Sequence, residues 1–210
     1  GIIEDGLLKR FRNWILFLIV VLVWSFNWPV MKMGLSYIDP LNFVFHRFLF
    51  SAIALSPLLV IFWKKVPRDW KNLVRLFLLG VINALGVIST NLGLVYEKTG
   101  ISAVLTYTQP IFVFCMAIPF LKEKAKAIRI LGILIGFSGV VVLSIKEIGF
   151  LESFTYSIPL LITGAFLWAV SIIYYKKTLS HIDPVVTNTF QLGVGTIFLA
   201  LVNVTLGGFY

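Results

Sequence analysis

Acidic side chains are scarce in this sequence, nine against eighteen Lys and Arg in 210 residues. All nine (Glu4, Asp5, Asp39, Asp69, Glu97, Glu123, Glu147, Glu152 and Asp183) fall at termini, in loops or at the ends of apolar runs. The interior of every apolar run therefore lacks a carboxylate that could carry protons. There is one cysteine, Cys115. It rules out an intrachain disulfide and, set in an apolar run, reads as packing rather than chemistry. The two histidines are His46, near the start of an apolar run, and His181, in a polar loop. No metal site and no cofactor is expected from this inventory.

What is abundant is apolar surface: 59% hydrophobic residues, 13% charged and a mean hydropathy of +0.97. This composition excludes an ordinary soluble domain. A run of about 18 or more apolar residues is long enough to cross a ~30 Å hydrocarbon core. Seven such runs stand at about 15–35, 41–63, 73–95, 101–121, 128–146, 156–176 and 184–206. Each must be helical, because lipid offers the backbone no hydrogen-bond partner. The expected fold is an all-α polytopic helical bundle in a membrane.

A net charge of +9 would suit nucleic acid if it were spread over one surface, but here it is segregated. Lys9, Arg10 and Arg12 precede the first run. Lys64, Lys65, Arg68, Lys71 and Arg75 follow the second, Lys122, Lys124, Lys126 and Arg129 the fourth, and Lys176 and Lys177 the sixth. That puts fourteen basic residues on one side of the membrane and only Lys32, Lys98 and Lys146 on the other, with Arg47 inside a run. The pattern predicts an inner- or plasma-membrane protein with a cytoplasmic N-terminus, and gives no reason to expect nucleic acid as a partner. The first run exceeds a ~7–15-residue signal core and lacks a small-x-small cleavage site, so it reads as an uncleaved span.

Residues 24–40 recur 144 positions later as residues 168–184. Trp24 meets Trp168, Lys32 meets Lys176, and Ile38-Asp39-Pro40 meets Ile182-Asp183-Pro184 without a gap. Five runs fill the first copy, residues 13–146. Five is odd, so a second copy enters from the opposite face and the halves are inverted. The second copy, 156–210, contains only two runs. The repeat arithmetic predicts three further spans, about 80 residues, beyond Tyr210; a self-sufficient seven-span protein is the alternative. Asp39-Pro40 and Asp183-Pro184 each place a capping residue before a proline suited to a first helical turn. Pro29, Pro57 and Pro110 lie inside runs and are expected to kink them.

The segment Gly93–Leu143, with Tyr96, Ala103, Pro110, Glu123, Gly132, Gly136 and Gly139, resembles the closing half of an EamA domain of the drug/metabolite transporter superfamily. Trp24, Pro40 and Arg47 suit its opening half. The resemblance implies ten helices in two inverted five-helix repeats, a substrate cavity between them, and transport of small metabolites, often the export of amino acids. Arg47 departs from symmetry, since its counterpart is Gln191. Small multidrug antiporters use a carboxylate in their first span; none is present here, so facilitated transport or exchange ranks ahead of carboxylate-driven antiport.

Polar groups at membrane depth need a reason. Trp24, Asn27, Trp28 and Met31 share one helical face, a cavity wall or a packing seam. Trp168 repeats Trp24. Asn83, Thr90 and Asn91 form a second stripe, which can line water or bond across helices, while Gly80, Gly86 and Gly93 permit close approach on the same helix. Thr106, Tyr107 and Gln109 stand beside Pro110. Arg47 lies ~9 Å into its run, where it can meet a substrate anion, snorkel to the interface, or pair with Asp39. The candidate substrate contacts are thus Trp24, Asn27, Trp28, Asn83, Asn91, Tyr107, Gln109 and Trp168, with Arg47 as an anion contact. The expected partners are a small-molecule substrate and the lipid bilayer; a homodimer stays open.

Other functions are less well supported. Gly136-Phe137-Ser138-Gly139 resembles a serine-protease motif, but neither histidine is placed as its base, so the glycines read as packing. A retinal-binding protein needs a lysine in the seventh run, and Pro184–Tyr210 has none. A lipid-linked substrate flippase should show basic residues along a lateral groove, for which Arg47 is the lone candidate.

Overall fold

The computed structural model describes residues 2–124, 127–147 and 156–206. It comprises α1 (Ile2–Gly34), α2 (Pro40–Ile61), α3 (Trp70–Tyr96), α4 (Thr99–Thr106), α5 (Gln109–Leu121), α6 (Ala127–Glu147), α7 (Ser157–Thr178) and α8 (Pro184–Leu206), with a 3₁₀ turn at Trp63–Lys65. Six stretches are long and apolar enough to cross a membrane: Arg10–Gly34, α2, α3, Thr99–Leu121, α7 and α8. Within α6 the apolar stretch Ala127–Gly139 is shorter. The side chains of Lys9, Lys126, Glu4, Asp5, Lys146, Glu147 and Glu152, and the tail 207–210, lie outside the described residues.

The expected span 101–121 is two helices. α4 ends at Thr106, Tyr107 and Thr108 turn, and α5 restarts at Gln109. Pro110 sits in the first turn of α5, where its missing N–H has no partner to lose. It starts a helix here rather than bending one. Pro29 and Pro57 do lie inside α1 and α2.

α3 and α7 cross at the centre of the bundle, and α8 packs on α2 and α3. The crossing is close because glycine is present on both helices. A Cβ on Gly164 would overlap Thr90 Oγ1 and come within 3.0 Å of Gly86 O. A Cβ on Gly93 would come within 2.6 Å of Leu161. Apolar clusters fill the remaining contacts: Leu76, Leu79, Leu179, Ile182 and Val186 at one end, and Trp28, Met31 and Leu94 at the other. Val44, Phe48, Ala84 and Leu199 lie between α2, α3 and α8.

The two Ile-Asp-Pro turns lie at opposite ends of the bundle. Asp39 caps α2, accepting from Leu41 N at 2.9 Å and Asn42 N at 3.3 Å. Asp183 accepts from Val185 N at 2.9 Å, and also from Lys65 Nζ, beyond the far end of α2, at 2.6 Å. Lys32, at the end of α1, donates to the carbonyls of Leu94, Val95 and Glu97 at 2.6, 2.8 and 2.9 Å. An ammonium there satisfies three acceptors left open where α3 ends. Ser157, opening α7, donates to Glu97 Oε2 at the same end. Arg75, near the start of α3, reaches Thr178 O at the end of α7.

Candidate functional site

Two chambers open between these helices. The first, about 290 Å³, is lined by Val23, Trp24, Asn27, Trp28 and Met31 of α1, Arg47 of α2, Gly86, Val87, Thr90 and Asn91 of α3, and Trp168 of α7. The second, about 320 Å³, lies toward the Asp183 end and is lined by Leu79, Asn83, Trp168, Ser171, Ile172, Tyr175, Lys176, Pro184, Thr187, Asn188 and Gln191. Trp168 belongs to both. Its ring stacks on Trp24, the repeat-equivalent residue, which lines the first chamber; the centroids are 5.6 Å apart and the planes 24° apart.

The linings correspond through the 144-residue offset. Trp24, Asn27, Trp28, Met31 and Arg47 of the first chamber map onto Trp168, Ser171, Ile172, Tyr175 and Gln191 of the second. The chemistry differs between the two sets. The first has a guanidinium, an amide and an indole where the second has a neutral amide, a hydroxyl and an alkyl chain.

Several polar groups of the first chamber have no strong partner. Arg47 Nη1 lies against Met31 Sδ at 2.8 Å, and Nη2 is 3.4 Å from Asn27 Oδ1. The Phe43 ring lies 5.7 Å from its guanidinium carbon. No carboxylate pairs with Arg47 among the described residues; Asp39 is occupied as a helix cap. Trp28 Nε1 and Asn91 Oδ1 are both buried without a hydrogen-bond partner among the described residues. Asn91 spends its Nδ2 on Val87 O at 2.8 Å, and Thr90 donates to Gly86 O at 2.9 Å.

Of the nine candidate residues, the first chamber gathers Trp24, Asn27, Trp28, Arg47, Asn91 and Trp168. Asn83 belongs to the second. Tyr107 and Gln109 line neither chamber; Tyr107 is exposed at the break between α4 and α5. Cys115, expected to be packed, is exposed on α5. Gly136 and Gly139 meet no neighbour within 4 Å, contrary to the packing expected of them, and Ser138 Oγ donates to Leu134 O of its own helix. His46 Nδ1 lies 2.8 Å from Asn42 O, and its ring packs near Phe45 and Phe50. Ile172 and Tyr175 are apolar or interfacial types with no signal of their own in the sequence; the repeat offset is what points to them, as it does to Ser171, the counterpart of Asn27.

Charge outside the spans gathers at the Asp183 end. Asp183 is held below the usual carboxylate range, first by the hydrogen bond from Lys65 and then by the Val185 N–H. Asp69 is lowered chiefly by the Asn72 N–H at the start of α3.

Residues 12–145 match the EamA-like transporter family. The chain belongs to that family. Its relatives include the uncharacterized transporter YvbV of Bacillus subtilis, 28% identical over 92% of this chain and 63% of the relative. An uncharacterized transporter of Archaeoglobus fulgidus is 31% identical over 90% of this chain and 65% of the relative. The uncharacterized inner membrane transporter YedA of Escherichia coli is 25% identical over 85% of this chain and 58% of the relative. The chain thus spans less than two thirds of the length of these curated relatives. No solved structure matches it.

Within this EamA-like chain, the residues that carried the resemblance are dispersed. Ala103 packs beside Trp28, Met31 and Leu94 near the first chamber. Glu123 pairs with Arg129 at 3.6 Å beyond the end of α5. Arg47 alone among them faces a chamber with a free charge. The chain is an integral membrane protein of a transporter family.

Proposed function

We propose that this protein is a secondary transporter of small polar or amphipathic metabolites, amino acids first, working in the export direction by alternating access. In this reading two inverted repeats rock against each other and expose the chambers in turn. The observation that carries it is the pair of chambers themselves: repeat-related linings, placed toward opposite ends of α3, with Trp168, stacked on Trp24, lining both. The opposed Ile-Asp-Pro turns support the inversion. Inverted repeats that meet at a midplane site are a recurrent way to build alternation. The segregated basic residues support a cytoplasmic N-terminus, and the relative named as an inner membrane transporter supports a plasma-membrane location.

The test is counterflow. Full-length protein in proteoliposomes is loaded with unlabelled amino acids and offered a labelled panel outside. Accelerated uptake of at least one member is expected. Absence of flux for every member, with monodisperse protein of native helical content, removes amino acids as the substrate class.

A further inference from the structure

We propose that the first chamber is a carboxylate site that also reads one neutral hydrogen-bond donor on the substrate. Arg47 and Trp28 Nε1 would take the carboxylate, and Asn91 Oδ1 the donor. The inference rests on the transport reading above for its biological use, though not for its chemistry.

Each of the three groups has unspent hydrogen-bonding capacity. A guanidinium carries five N–H donors in a fixed fork and is suited to a planar carboxylate. Among the described residues its hydrogen-bond partners are a thioether and a long contact to an amide. An unpaired cation and two unsatisfied buried groups are costly in isolation. That all three line one chamber of about 290 Å³ is the pattern a polar ligand would relieve. Trp24 and Trp168 supply a flat apolar wall, so the rest of the substrate should be apolar.

The substrate donor should be neutral. No acidic side chain lines the chamber among the described residues. An α-ammonium would face a neutral amide oxygen while sharing the space with the Arg47 charge. A hydroxyl gives Asn91 the same hydrogen bond without that repulsion. The described lining therefore offers no counter-charge to the positive half of a zwitterion. A 2-hydroxy acid should bind at least as well as the amino acid of the same shape. The second chamber is an internal contrast. Gln191 and Ile172 stand where the first has Arg47 and Trp28, so its cation is the Lys176 ammonium, a point charge rather than a planar fork.

The experiment is equilibrium binding to the purified full-length protein, read by intrinsic tryptophan fluorescence, with counterflow measured in parallel. The probes are leucine, 2-hydroxy-4-methylpentanoate and the methyl ester of the latter. The hydroxy acid is expected to match or exceed leucine, and the ester to bind at least about tenfold more weakly, since it loses a charge-assisted pair. Arg47→Gln should abolish the difference between acid and ester, Arg47→Lys should keep part of it, and Trp28→Phe should weaken the acid more than the ester. Equal binding of acid and ester would overturn the proposal, and would point to an acidic side chain elsewhere in the protein as the partner of Arg47. Unchanged acid affinity in Arg47→Gln, or no binding of any probe at millimolar concentration, would also overturn it. Leucine binding tenfold tighter than the hydroxy acid would overturn the neutral-donor part. Acid binding without counterflow would leave the site standing and remove the transport reading; counterflow without discrimination between acid and ester would do the reverse.

Discussion

Lys32 shows how one side chain can define a helix end in lipid. Its part-buried ammonium holds three carbonyls where α3 stops, acceptors that the helix itself leaves open. Lys32→Met keeps the alkyl stem and removes the donors. We expect a loss of about 1–3 kcal/mol, read as a lower thermal midpoint in detergent. Lys64→Met, at an exposed position just after α2, should have a much smaller effect. Asp183 makes a different prediction, because it both caps α8 and pairs with Lys65. Asp183→Asn preserves the cap, since Asn caps as well as Asp, and deletes the charge. The native carboxyl is lowered below its unfolded value, so its stabilisation is complete above the usual carboxylate range, near about pH 4, and is lost as pH falls through the lowered value. Wild type should therefore melt above Asp183→Asn at pH 7, and the gap should narrow as pH falls below about 4. A gap independent of pH would assign the effect to something other than the ion pair. The sequence made parts of this legible and hid others for a physical reason. The shared face of Trp24, Asn27 and Trp28 follows from helical spacing alone. The isolation of Arg47 does not, because spacing along α2 says nothing about how α2 is rotated against α1. Asn83 and Asn91 share a face as expected, yet two turns of helix, ~12 Å, put them in different chambers.

At the scale of elements, the bundle depends on how closely α3 and α7 approach. Gly164 and Gly86 set that distance; an added methyl at Gly164 meets Thr90 and the backbone of Gly86. Gly164→Leu should cost about 1–3 kcal/mol or more through overpacking, measured as reduced thermal stability and reduced monodispersity. Gly136→Leu, on a face of α6 with open space around it, should leave both unchanged within the described bundle. The sequence carried the glycines of both helices but not which pairs would meet. Gly93 and Gly164 bury themselves against α7 and α3, whereas the three glycines of α6 meet nothing. Small residues permit close approach; a partner helix must still be there to use it. The break between α4 and α5 is hidden from the sequence for a related reason. An apolar run of 21 residues looks like one span by length, and a proline within it reads as a kink. The chain instead turns two residues earlier, so the proline falls in a first turn and Tyr107 and Gln109 are carried away from the chambers.

For the whole molecule, the repeat turns a pair of residues into a candidate gate. Trp24 and Trp168 are related by the 144-residue offset and stack on each other, and Trp168 lines both chambers. On the proposed alternating-access reading, a contact made of one residue from each half would open as the halves move. The stack is also weak enough to be broken in every cycle, about 0.5–1.5 kcal/mol beyond the burial of its area. Trp24→Ala should merge the chambers into one path. In proteoliposomes of the full-length protein, that would raise passive leak of small solutes and bring the acceleration by internal substrate close to nil, because a continuous path does not need to return loaded. Trp24→Phe retains an aromatic face and should leak less while keeping part of the acceleration. If Trp24→Ala instead transports with undiminished counterflow and no leak, the tryptophans are a wall of the site and the barrier lies elsewhere. The two outcomes separate on a single pair of measurements, tracer efflux with and without substrate on the far side.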